Sequence, residues 1–212
     1  MLQEIRKKLR LAMNGITSSA MREKGIDYKL NFGVPIMTLQ KIAKNYIPNS
    51  ELAEELWQEN TRELKILATL LQPFSTFTNT LVWAKEINNL ELAEQASMNL
   101  FSKTLDAPNN ALILIQSNEL YEQICGFLIY SRLFSNKYSL ENKEVYFKSV
   151  SDALDSKSLL LKNTALTSLK KLGRQSTENA KNILGYYNLW SKSNPEKQTI
   201  YDDLKFELDY YS

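Results

Sequence analysis

Histidine is absent from this 212-residue chain, and cysteine occurs once, at Cys125. Those two absences remove the usual zinc ligands, so neither a metal nor a cofactor is expected. They also leave carboxylates among the few groups able to do acid–base chemistry. Cys125 sits in the apolar run Ile124-Cys125-Gly126-Phe127-Leu128, which reads as a buried thiol rather than half of a disulfide. Only six glycines and five prolines are present, and alternating β-branched runs are missing, which leaves little room for a sheet. No apolar run approaches the roughly 20 residues of a membrane span. The opening Met1–Leu9 reads as an amphipathic helix without the unbroken apolar core of a secretion signal. The expectation is a cytoplasmic protein with no membrane partner.

What is present fits a soluble chain with a sizeable core: 43% of residues are hydrophobic and 24% charged. The net charge of +2 is unevenly spread. Residues 1–50 carry nine Lys/Arg against three Asp/Glu, and residues 51–120 carry four against ten. Residues 121–180 carry nine against six, and the remainder four against five. Two basic regions flank an acidic middle, a pattern that fits a surface gripping a polyanion and also arises from solvated helix faces.

Nearly every segment reads as helix. The first covers Leu2 to Met13, and a second covers Ser18 to Lys24, closed by Gly25. Tyr28 to Pro35 reads as a structured loop, with Pro35 opening a helix to about Tyr46. Helix pairs follow, with Ser50 capping a helix through Trp57, and Asn60 or Thr61 capping Arg62 to Gln72. The next pairs are Thr76–Ile87 with Asn89–Lys103, Pro108–Gln116 with Glu119–Phe134, and Leu140–Leu154 with Lys157–Leu172. Helices over Thr177–Trp190 and Pro195–Tyr210 complete the chain.

The second members of the pairs share a large–small–large pattern suited to close helix packing. It is seen in Leu64/Ala68/Leu71, Leu92/Ala96/Leu100, Tyr121/Cys125/Leu128 and Leu161/Ala165/Leu169. The small residues stand 28, 29 and 40 residues apart (96−68, 125−96, 165−125). Two helices per roughly 30–40 residues is an α-solenoid period, nearest to HEAT-type repeats; the alternative is an orthogonal helical bundle. The fold class predicted is therefore all-α, a right-handed superhelix of HEAT-like pairs in one domain, 1–212. Within it, 1–48 supplies N-terminal helices, 49–175 the repeat pairs and 176–212 the capping helices. Second members would line the concave side, and they carry Arg62, Lys65, Arg132, Lys162, Lys170, Lys171 and Arg174. The stretch Asn88 to Met98 places Glu91 and Glu94 on one face of such a helix, behind a good N-cap pair.

Asn31-Phe32-Gly33-Val34-Pro35, with Leu39-x2-Ile42-Ala43-Lys44 after it, resembles the opening of the AlkD-type DNA alkylation repair proteins. Glu55-Leu56-Trp57-x5-Arg62-Glu63-x4-Ala68 resembles their next section, and a weaker similarity runs to about Gln175. The resemblance implies HEAT-like repeats, a basic groove for duplex DNA, and glycosylase release of alkylated purines. Active members carry Trp-x-x-x-Asp where this chain has Leu90 and Glu94. There the ring packs on the lesion deoxyribose, and the carboxylate stabilises the charge that develops as the glycosidic bond breaks. Ile124 stands where active members have a phosphate-holding arginine, and Thr167 where they have a second cleft tryptophan. The resemblance thus makes Glu94 the one catalytic candidate, in a DNA-binding protein whose glycosylase activity is weak, altered or absent. The expected partner is double-stranded DNA, alkylated or branched. Phosphate contacts are assigned to Arg22, Lys24, Lys29, Lys65, Lys162, Lys170, Lys171 and Arg174. The alternative on the same scaffold is a non-enzymatic protein-interaction solenoid.

Overall fold

A computed structural model describes residues 1–26 and 28–211. Its contacts divide the chain into two compact units, residues 1–106 and 107–212. The first unit holds α1 (Leu2–Leu11), α2 (Gly15–Glu23), α3 (Ile36–Ala43), α4 (Ser50–Trp57), α5 (Arg62–Leu71), α6 (Thr80–Lys85) and α7 (Leu90–Asn99). The second holds α8 (Ala107–Ile115), α9 (Leu120–Ser135), α10 (Lys143–Leu154), α11 (Leu159–Gly173), α12 (Thr177–Ser191) and α13 (Pro195–Leu208). Among the described residues the only extended pairing is an isolated bridge between Leu30 and Thr61. The all-α expectation holds.

Asparagine and serine set six of the described helix starts, because their side-chain oxygens take an orphan amide of the first turn. Asn49, Asn89 and Asn194 accept from Leu52, Leu92 and Lys197, and Ser158 and Ser176 act likewise on Leu161 and Asn179. Asn14 caps α2 through Thr17, which is why that helix starts ahead of the predicted Ser18. The cap of α4 is Asn49, one residue before the expected Ser50. The predicted helix 76–87 is broken: a 3-10 turn at Phe74–Thr76 and extended Phe77 precede the six-residue α6. Asn89–Lys103 is likewise split, with α7 ending at Asn99 and a 3-10 turn at Phe101–Lys103.

Sequence-adjacent helices pack together as α4 with α5, α8 with α9, α10 with α11 and α12 with α13. In the first unit α5 also packs on α3 and α7, and in the second α11 packs on α9, α12 and α13. The small residues Ala68, Ala96, Cys125 and Ala165 are fully buried. The third repeat is out of register with the sequence reading, because Tyr121 and Leu128 stay half-exposed while Ile124 and Phe127 fill the core. α8 and α9 pack tightly at Gly126, where a Cβ would come within 2.7 Å of Ile115 atoms. In the first unit Trp57 and Trp83 stack at 4.1 Å between ring centroids, with Phe77 edge-on to Trp83 at 4.8 Å.

Candidate nucleic-acid interface

The loop 31–35 is held by α5. Glu63, fully buried, accepts the amides of Phe32 (3.0 Å) and Val34 (3.2 Å). Between them Gly33 takes φ +68°, and a Cβ there would overlap Asn14 and Ser18 backbone, so only glycine closes the loop onto α2. Arg62, 1% exposed, donates to the Val34 carbonyl (2.9 Å), to Glu63 (2.8 Å) and through two nitrogens to Glu91 (2.6 and 2.7 Å). Burial opposes the guanidinium charge, but the hydrogen bonds and charge of Glu91, then Glu63, more than offset it and raise its pKa. Sequence reasoning placed Arg62 among the groove cations. It is instead an internal brace joining α5, α7 and the loop, with no face left for phosphate.

That brace separates the two glutamates of α7. Glu91 is locked to Arg62, and Glu94, one turn on, is exposed. Leu90 is half-exposed and supplies no π face beside it. Tyr28, whose hydroxyl accepts from Asn89 (2.9 Å), is pushed up to about 12 by burial. It lines a cavity of about 240 Å³ with Gln58, Asn60, Lys65, Glu86 and Asn88.

The predicted cations fall into three groups. Arg22, Lys24 and Lys29 are exposed and make no ion pair among the described residues. Lys65 is tied inward: its ammonium donates to the Trp57 carbonyl (2.7 Å) and Glu86 (3.3 Å) and lies 4.3 Å from the Trp57 ring centroid. Burial lowers its pKa, with Glu86 acting the other way. In the second unit Lys162 pairs with Glu196 (3.3 Å), and Lys170 (2.7 Å) and Arg174 both pair with Glu207. Lys171 is different: half-buried, it has no carboxylate partner among the described residues. Burial pushes its ammonium pKa down, and the charges of Arg132 and Arg174 push it further the same way.

Arg132 is thus a cation that the site assignment missed. It sits exposed on α9, and only the packing of α9 against α11 brings it to Lys171, 39 residues on (171−132). Its position on a second member of a pair was the one sequence signal for it. Ile124 is fully buried, so a side chain at that position cannot reach a phosphate. Thr167 is exposed on α11, its hydroxyl donating to the Asn163 carbonyl (2.7 Å). Among the described residues no group of three or more His, Cys, Asp or Glu could hold a metal, and no helix is long and apolar enough to cross a membrane.

The sequence profile of the family described as DNA alkylation repair enzyme matches residues 5–188. Comparison with curated protein sequences gives no significant match. One solved structure is presented as a new family of proteins related to the HEAT-like repeat DNA glycosylases with affinity for branched DNA structures. It superposes with a TM-score of 0.72 at 18% sequence identity, over 85% of this chain and 82% of that one. At that identity the likeness establishes the HEAT-like fold.

Proposed function

The chain belongs to the DNA alkylation repair enzyme family, and from that premise we propose that it binds double-stranded DNA through cations of α9 and α11 in the second unit and of the N-terminal region in the first. The observation that carries the reading is the cluster of Arg132 and Lys171 beside Arg174. Arg132 and Lys171 have no carboxylate partner among the described residues, while Arg174 beside them is paired with Glu207, so the first two are open to an external phosphate. Arg22, Lys24 and Lys29 supply exposed positive charge in the first unit. The relative's affinity for branched DNA supports extending the proposal to forks and junctions.

Excision of alkylated purines is the activity the resemblance implies, and it rests on Glu94. The longer side chain displaces the carboxylate by one methylene, and a displacement near 1 Å costs about 100-fold in rate. Leu90 removes the ring that would pack on the sugar. Binding therefore outlasts catalysis in this reading. Salt titration of duplex and junction binding tests it. The logarithm of affinity falls linearly with the logarithm of salt concentration, and Lys171→Ala or Arg132→Ala shallows the slope by about one unit each. A flat salt dependence sinks the proposal. Purine release from methylated DNA, compared between the wild type and Glu94→Gln, reports any residual chemistry. Nuclease-insensitive capture of one protein without DNA affinity would favour the interaction scaffold.

A further inference from the structure

We infer that the cavity at the N-terminus of α5, walled by Arg6, Arg10, Lys29 and Thr61, binds a single phosphate group. The space measures about 370 Å³, within the range of small-ligand sites. Arg6 and Arg10 lie one turn apart on α1 and so share a face, and Lys29 approaches from the segment that bridges to Thr61. Among the described residues Glu59 is the one carboxylate in the wall, and Arg6 holds it at 2.7 Å. Arg10 and Lys29 have no ion pair among the described residues. Among the described lining residues, three cations stand against one carboxylate.

The floor is built for an acceptor-rich guest. Thr61 is the N-cap of the ten-residue α5, yet its side chain makes no cap hydrogen bond. The residue is 4% exposed and lines the cavity, and its hydroxyl has no hydrogen-bond partner among the described residues, which leaves it free to donate to a guest. Glu63, the acid of α5's first turn, is turned away to the Phe32 and Val34 amides and Arg62. The first amide of α5, that of Arg62, already donates to the Leu30 carbonyl (3.2 Å). No acidic side chain of α5 opposes the partial positive charge of the rest of the helix start on the cavity side. By contrast, the cavity of about 540 Å³ beside α4 is lined by Glu51, Glu54 and Glu55 and repels such a guest.

The guest's phosphate belongs to a DNA backbone, a DNA end or a free nucleotide. Titration of the isotopically labelled protein with inorganic phosphate, against chloride at matched ionic strength, reads the site directly. Saturable shifts are expected at the Lys29, Thr61 and Leu64 amides with phosphate alone. Arg10→Gln combined with Lys29→Gln weakens binding at least about tenfold, and Thr61→Val about fivefold. Shifts that chloride reproduces, or that survive the double substitution unchanged, overturn the site. Duplexes with 5′-phosphate or 5′-hydroxyl ends, and deoxyadenosine monophosphate, then assign the source, and engagement of these amides by any of them upholds the site. Lys29 is shared with the DNA-binding reading, so the two are separated by outcome. Phosphate binding without duplex binding overturns the DNA reading alone, and duplex binding with no phosphate response here overturns this site alone.

Discussion

Arg62 and Glu63 are charged side chains buried to about 1% exposure or less, and both serve the loop that opens the family resemblance. Removing one member of such a group leaves the other charge buried and uncompensated. Arg62→Ala is expected to cost about 3–5 kcal/mol in urea unfolding. Glu91→Gln, which loses a charge-assisted pair that is 24% exposed on the carboxylate side, costs about 1–3 kcal/mol. Glu94→Gln, at an exposed position, costs under about 1 kcal/mol. Equal losses for the two glutamates would remove the distinction between them. From spacing alone the pair looked interchangeable, three residues apart at the start of one helix, and only the family resemblance singled out Glu94. What separates them is Arg62, 29 residues away (91−62), whose position depends on the packing of α5 against α7. The Arg62-Glu63 dipeptide was legible as a family motif. Its role as a brace was not, because a buried arginine and a groove arginine share the same local pattern.

At the scale of elements, α13 acts on α11. It lies beyond residue 188, where the family match ends, and anchors through buried Leu204 and Leu208. Its Glu196 and Glu207 occupy Lys162, Lys170 and Arg174, which are three of the predicted phosphate contacts. Glu207→Gln is therefore expected to strengthen DNA binding several-fold at low salt by releasing two cations. Fluorescence anisotropy near 50 mM salt measures this, and unchanged affinity means that neither cation meets DNA. Acid should act in the same direction. Although its partial burial works against the charge, Lys170 and Arg174 hold Glu207 below its ordinary carboxyl value. Its hold on α11 is thus fully present above that ordinary value, near 4.5, and is lost as pH falls through the lowered one. Helix existence along this region was readable from spacing and caps. Which lysines are neutralised was not, because their partners lie 33–37 residues downstream (207−174, 207−170).

For the whole molecule, the repeat reading survives where a small residue sits between two buried large ones, and fails at Cys125. There the chain uses Gly126 for close approach, and the flanking large residues turn outward. Periodicity of apolar residues decided fold class because burial of one stripe per helix is what the fold needs. It said little about the site, because charged residues are sorted by neighbours distant in sequence. The uneven charge of the chain divides in the same way: some cations form braces, some are paired, and a few stand open.

The loop from Phe32 to Val34 has no regular secondary structure, yet two of its amides end on the carboxylate of a fully buried residue of α5. Solvent reaches those protons only when the start of α5 lets go of Glu63, and that step also strands Arg62. Loop amides generally exchange within the fast, locally opening fraction of a protein. The Phe32 and Val34 amides are expected instead to exchange with deuterium as slowly as the middle of α5, and to accelerate together with it in Arg62→Ala. Fast exchange of the two in the unaltered protein would mean that the clamp is open in solution. On this account the irregular loop and α5 form one cooperative unit, and the order of the loop cannot be lost without the helix.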